Sequence, residues 1–249
     1  MRIFWALLRR ELGTFFLSLT GYVIIAAVAL LIGQSFVVLI RGLANEPSPM
    51  PVTESFYRTY YFWLIVLLGS PLMTMRLFAL EKSSGTFETL MTTQVRDAQV
   101  VAAKFAAALF FYMVTWLPLL GCLFIVRHFT HQGGLDAGTV GGMFLGIFLV
   151  GCLFLSLGCF ASSLTRSQMT AAMISLAMGV TLFSLGFLAM QLPVGDDWQT
   201  QVLAHFNLFE QVHNFARGVV DTRTVLFYVS LTLLFLFLTL RVVESRRWR

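Results

Sequence analysis

The stretch Glu81-Lys-Ser-Ser-Gly-Thr-Phe-Glu-Thr-Leu90 stands between two long apolar runs, and its reading decides how the rest of the chain is understood. The run before it ends near Arg76, and the next begins near Val101. A charged, glycine-broken segment in that position has to leave the bilayer, because hydrocarbon offers its polar groups no partners. From about Thr86 the spacing is that of a short helix. Phe87, Leu90 and Met91 fall on one face at i, i+3 and i+4, while Glu88, Thr89 and Thr92 fall mainly on the other. Gly85 allows a sharp turn before it, and Thr86 or Ser84 can cap the exposed amides. The expectation is a small helix on the membrane surface that shows its polar face to water. The plainer alternative is an ordinary loop that is amphipathic by composition.

Working outward, six apolar runs are long enough to cross a bilayer, which takes roughly 20 residues each. They are about Leu17–Ile40, Thr59–Met75, Val101–Val126, Thr139–Ser163, Met169–Leu192 and Thr224–Val243. Of the 249 residues 58% are hydrophobic and 12% charged, with a mean hydropathy of +0.82, more apolar surface than a soluble chain of this size can hide. The expected fold class is therefore all-α, a polytopic integral membrane protein with six transmembrane helices forming one domain over residues 1–249. The second run is the shortest and contains Pro71, which predicts a bend near the inner face. The first run is too long for the core of a signal peptide and is expected to be retained.

Lysine and arginine set the orientation. An even number of spans puts both termini on one side. That side carries twelve cations, namely Arg2, Arg9, Arg10, Arg76, Lys82, Arg96, Lys104, Arg166, Arg241, Arg246, Arg247 and Arg249. The other side carries five, Arg41, Arg58, Arg127, Arg217 and Arg223. The bias predicts cytosolic termini and a cytosolic Glu81–Leu90 segment. The net charge of +5 reads as membrane topology and anionic-lipid contact, with nothing that points to nucleic acid. Cys122, Cys152 and Cys159 all lie in apolar runs without Cys-x-x-Cys spacing and read as small buried residues.

Ahead of the first span, Arg2–Leu12 has the pattern of an interfacial helix. Arg2, Arg9 and Arg10 gather on one side with Ala6, apolar and aromatic residues fill the rest, and Glu11 breaks the pattern. Gly42–Glu54, with three prolines, reads as an external loop. The fourth run opens on Gly138, Gly142 and Gly146, and the fifth repeats small residues at Ser167, Ala171, Ser175 and Gly179. Small residues every fourth position let helices approach closely in lipid, within one chain or across a dimer seam. The external segment 193–223 is long and not purely polar. Val202, Phe206, Leu208, Phe209, Val212 and Phe215 cover a broad side of a possible helix, and Asp221 or Thr222 can cap the helix that follows.

Chemistry is mostly missing. The chain contains no Gly-x-x-x-x-Gly-Lys-Ser/Thr loop to cradle phosphates, so any ATP that drives it must be bound by another chain. No catalytic motif, no cofactor site and no Cys/His cluster with metal-ligand spacing occurs; His128 and His131 lack a third ligand nearby, and His205 and His213 read as solvated. The middles of the spans carry almost no ionisable groups, with Gln34 the most polar residue deep in the first. Ion-coupled carriers usually need an intramembrane carboxylate, so this composition favours a machine powered from outside the membrane and a cargo of apolar character.

Glu-x-x-x-Gly-Thr-x-Glu-x-Leu directly after a second span resembles the coupling-helix loop of ABC exporter permeases of the second class. The resemblance extends over nearly the whole chain. It implies an elbow helix in residues 1–14 with Arg2, Arg9 and Arg10, a cytosolic coupling loop in residues 81–98, and a segment re-entering from outside before the last span. It implies that Glu81, Lys82, Gly85, Thr86, Phe87, Glu88 and Leu90 meet a separate cytosolic ATPase subunit, which binds the ATP. It also implies a second permease copy, identical or paralogous, a bacterial inner-membrane location, and room for an accessory membrane or periplasmic subunit. The run Phe206-Asn-Leu-Phe-Glu to Phe215-Ala-Arg-Gly-Val-Val-Asp221 is most like permeases of gliding-motility and copper-enzyme-maturation transport systems. Phe78-Ala-Leu80 departs from the family, which often has a more acidic lead-in there. The alternative function is a non-transporting membrane scaffold that anchors a partner complex, which has no need of a coupling loop.

Overall fold

The computed structural model describes residues 2–45, 52–85, 96–129, 137–191 and 207–245. Among these residues all regular structure is helical. An amphipathic helix, α1 (Arg2–Phe16), turns at Leu17–Ser18 into α2 (Leu19–Asn45), followed by the short α3 (Val52–Arg58). Next come α4 (Tyr60–Thr74) and its continuation α5 (Ala79–Ser83), then the in-line pair α6 (Asp97–Thr115) and α7 (Leu117–Phe129). The last four are α8 (Ala137–Leu164), α9 (Gln168–Gln191), the short α10 (Leu208–Ala216) and α11 (Thr222–Ser245). Six stretches are long and apolar enough to cross a membrane: Leu19–Gly42, Tyr60–Ser83, Asp97–Val126, Ala137–Leu164, Gln168–Leu188 and Thr222–Ser245.

The fourth of these is the hub. Helix α8 is apolar on every side, the pattern of a helix surrounded by others, and 78% of its spanning window is buried, against 17% for α11 and 22% for α9. It touches α4, α6, α9, α10 and α11. Small residues admit these neighbours: at Gly158 an added methyl would overlap Thr74 of α4, and at Gly151 it would overlap the Tyr112 ring of α6. The core around α8 is aromatic, with Tyr57, Phe62, Phe111, Tyr112, Trp116 and Tyr228 all essentially without exposed surface. Van der Waals packing of this kind drives association in a bilayer, where lipid is as apolar as the side chains.

Two expectations are corrected. The first transmembrane helix does not stop before Gly42; it continues to Asn45, and the chain is helical again from Val52, so the expected Gly42–Glu54 loop is shorter. All three of its prolines fall in the sequence between these two helices, outside the described residues. The second span reaches past Met75 to Ser83, so Glu81 and Lys82 sit on its helical continuation.

That continuation crosses a break at Met75–Phe78, four residues beyond Pro71. Backbone groups freed inside a bilayer need new partners, and one side chain of α8 supplies them. The Ser162 hydroxyl accepts from the amides of Phe78 and Ala79, each at 3.1 Å, and donates to the Met75 carbonyl at 3.2 Å. Ser162 is fully buried, so water cannot substitute. Ser162→Ala is expected to lower stability by about 1–3 kcal/mol, the cost of leaving buried groups unsatisfied. Thermal unfolding in detergent checks this, and an unchanged midpoint would mean the break is held by other contacts.

Candidate functional site

Polar side chains concentrate at the two ends of the bundle. At the end that carries the termini, four charged groups from three helices meet. Lys104 of α6, 2% exposed, holds the Glu11 carboxylate of α1 at 3.1 Å and that of Glu81 on α5 at 2.9 Å. Arg10 reaches the same two oxygens from the solvent side, at 2.8 and 2.9 Å. Two cations thus face two carboxylates, and the lysine also lies 5.5 Å from the centre of the Phe78 ring. Burying charge in this way is tolerable only with full pairing. The cluster ties α1, α5 and α6 into one unit.

Next to it the Lys82 ammonium reaches across to the Ser163 carbonyl at the end of α8. Gly85 then takes a positive φ of 74°, a conformation open to glycine and strained for other residues, so the chain turns sharply there. The remaining residues of the expected coupling set, Thr86, Phe87, Glu88 and Leu90, lie outside the described residues. Of the basic residues expected on the interfacial helix, Arg9 and Arg10 are exposed on α1; Arg2 begins that helix, and its side chain is outside the description. Glu11, which interrupts the helix pattern in sequence, is the buried residue that fixes α1 to the bundle.

At the far end, α3 and α10 form a lid over the hub. Helix α10 is capped by Asn207, whose side-chain oxygen accepts from the Glu210 amide at 3.2 Å, and it is closed by Gly218 at a φ of 78°. It lies directly on the glycines of α8. An added methyl at Gly142 would overlap the Phe215 carbonyl, one at Gly146 would come within 3.1 Å of the Phe215 side chain, and the turn at Gly218 rests beside Gly138. Thr53 of α3 donates to the Ala216 carbonyl at 2.8 Å, and Tyr57 donates to the Met143 carbonyl at 2.6 Å. The buried Glu54 carboxylate takes a two-pronged contact from Arg217, at 2.7 and 3.0 Å, with His213 at 3.6 Å. The guanidinium holds the Glu54 carboxyl below the usual carboxylate range. Burial pushes the His213 imidazole down from its ordinary value.

The small residues of the fifth span are used in the same manner. Ala171 and Ser175 are buried, and a methyl at Gly179 would stand 3.3 Å from the Phe154 ring of α8. The first stripe and, in the second, Ala171, Ser175 and Gly179 are therefore covered by neighbours within the chain, while Ser167 is exposed. Of the apolar set expected on the external segment, Leu208, Val212 and Phe215 are buried on α10, while Val202 and Phe206 fall outside the described residues. Asp221 is the cap of the last helix, accepting from the Arg223 amide at 2.9 Å.

Beneath α10 a cavity of about 1100 Å³ opens between α4, α9 and the α3–α10 lid. Trp63, Phe183, Phe187 and Phe209 form its aromatic wall, with ring centroids 4.8–6.3 Å apart. Glu54, Arg58, His213 and Arg217 stand at its rim. The combination of apolar walls and a few convergent polar groups is that of a ligand pocket. The charged pairs at both ends went unseen in the sequence. Each is made by residues far apart in the chain, and a lone Glu54 or Lys104 carries no local signal of its partner.

A helical bundle with six candidate spans, a paired-charge junction at one end and a lidded cavity at the other defines a polytopic integral membrane protein. The chain belongs to the ABC-2 transporter family: the family model described as ABC-2 family transporter protein matches residues 41–240. Membership makes it a membrane permease subunit of an ABC transporter, a class that associates with an ABC ATPase subunit. No curated protein matches the chain.

Proposed function

We propose that this permease works as a dimer, identical or paralogous, coupled to two cytosolic ATPase subunits through the segment that begins at Glu81. The terminal end of the bundle then faces the cytosol of a bacterial inner membrane, as the lysine and arginine bias suggests. The observation that carries the reading is the paired-charge junction. Helix α5, which leads into the segment, is joined through Glu81 to α1 and α6 and through Lys82 to α8. A push that arrives at Glu81 and Lys82 is handed directly to three other helices. This chain neither binds nor hydrolyses ATP in this scheme. The far-end cavity suits an apolar or amphiphilic cargo. The likeness to gliding-motility and copper-enzyme-maturation permeases rests on residues 206–221, which include the lid helix.

The test is co-purification of an ABC ATPase expressed together with this chain, and the stimulation of its hydrolysis in lipid. A contact from Glu88 to an Arg or Lys of the ATPase is worth roughly 1.5–3 kcal/mol if shielded, and about 0–1 at an exposed rim. Glu88→Arg reverses the charge and is expected to weaken assembly more than Glu88→Ala. Gly85→Val is expected to uncouple hydrolysis, because valine resists the positive φ at that turn. If Glu88→Arg and Gly85→Val keep the partner and full activity, the segment is not the coupling element and the scaffold reading takes its place.

A further inference from the structure

A second cavity, of about 460 Å³, lies at the terminal end beside the α1–α2 turn, bounded by the break in the second span. Its volume is within the range of small-molecule sites. Arg76 is the group that sets its chemistry. Its Nη1 donates to the Thr20 hydroxyl at 2.7 Å, and that hydroxyl is 3.0 Å from the Ser18 hydroxyl. The Nε of Arg76 is buried and has no hydrogen-bond partner. The other charged groups on the cavity wall are Arg10, Glu11, Glu81 and Lys104, and these pair among themselves, two cations with two carboxylates. Arg76 makes no ion pair among the described residues, so the cavity keeps one uncompensated positive charge.

The opposite wall is apolar, built from Phe15, Ile24, Leu72 and Met73. Leu72 is 45% exposed, so the cavity opens at the outer surface of the bundle. An unpaired guanidinium on a partly apolar wall is costly, and it is offset by a ligand that brings an anionic oxygen to the cavity. Arginine presents several donors in a fixed fork suited to phosphate, and the Thr20 hydroxyl stands beside it, while Ser18 is engaged by the Phe15 carbonyl and the Gly21 amide. We propose that this cavity binds the headgroup of an anionic phospholipid from the adjoining leaflet, with phosphate on Arg76 and Thr20 and the upper acyl chain along Ile24 and Leu72. Zwitterionic lipid fits less well, because its own cation meets a wall that already carries Arg76. The site sits where α1, α2 and the span break meet, so lipid seated there fastens the interfacial helix to the second span. The inference needs only the membrane location and is independent of the coupling reading.

The experiment uses the full chain purified in mild detergent, with lipid retention read by native mass spectrometry and stability by thermal unfolding. Phosphatidylglycerol is compared with phosphatidylcholine, and inorganic phosphate and glycerol 3-phosphate form separate arms. Wild-type protein is expected to retain phosphatidylglycerol at least tenfold better than phosphatidylcholine, about 1.4 kcal/mol. Arg76→Gln is expected to abolish the preference, Arg76→Lys to keep part of it, and Arg223→Gln, an exposed change at the far end of the bundle, to leave it intact. Leu72→Trp narrows the apolar wall without touching Arg76 and is expected to reduce retention of both lipids; it serves if Arg76→Gln does not fold. Undiminished preference in Arg76→Gln, or undiminished retention in Leu72→Trp, overturns the site. Arg76-dependent stabilisation by the soluble phosphates, without any lipid preference, overturns the lipid assignment in favour of a free anion.

Discussion

Lys104→Met is expected to cost about 3–5 kcal/mol of stability, the range for breaking a buried charge pair by removing one partner. The lysine is 2% exposed and lies between the carboxylates of Glu11 and Glu81. Without it, two like charges share a single arginine that is itself half-exposed. That arginine still neutralises part of the charge, so the lower half of the range is the better expectation. Unfolding midpoints in detergent measure the loss. Adding Glu11→Gln to the lysine variant removes one of the stranded carboxylates and should recover part of it. Arg10→Gln alone, a change at the solvent edge, is expected to cost no more than about 1 kcal/mol. Equal effects for Lys104→Met and Arg10→Gln would show that the junction does not depend on its buried member.

Gly142→Val should displace α10 from the hub. The added side chain meets the Phe215 carbonyl, which is backbone and cannot rotate away, so the helix itself has to shift. Overpacking of this kind costs typically about 1–3 kcal/mol, and here it also pulls Arg217 from Glu54. The position next to it supplies the control. At Gly141 an added methyl finds nothing within 4 Å, so Gly141→Val changes the same chemistry against open space. A cysteine at Val212, 1% exposed in the wild-type fold, reports the outcome. In a background without the native cysteines, maleimide labelling there should rise at least tenfold with Gly142→Val and stay low with Gly141→Val. Equal labelling in the two variants would mean that α10 is not seated on Gly142.

The spans were legible because bilayer thickness imposes a long apolar run, a signal that needs no knowledge of partners. The fourth run was expected at Thr139–Ser163 and the helix is Ala137–Leu164. The second run was cut short at Met75 because hydropathy falls at Arg76, Glu81 and Lys82. Glu81 and Lys82 remain on the span because Lys104 and Ser163, from two other helices, take them up, and Arg76 is held in part by Thr20 of a third. Compensation of that sort is a property of the fold and is invisible in a window of twenty residues. Glu11 shows the same blindness from the other side. It looked like a flaw in an amphipathic helix and is the point where that helix is anchored. The glycine stripes could be recognised as packing surfaces, but only the fold shows that a short helix from the external segment fills the first of them.

The position of α8 in the chain has a consequence for biogenesis. It is the fourth span to be made, yet α4 and α6 ahead of it and α9, α10 and α11 behind it all lean on it. Chains are synthesised from the N-terminus, and earlier parts wait for later ones. Before the ribosome reaches Ala137, the first three spans can form only their own mutual contacts, leaving Thr74 and Tyr112 without the glycines that receive them. The nascent protein therefore passes through a stage of membrane-inserted but uncentred helices. Its assembly is completed when α8 arrives and the three helices behind it close around it.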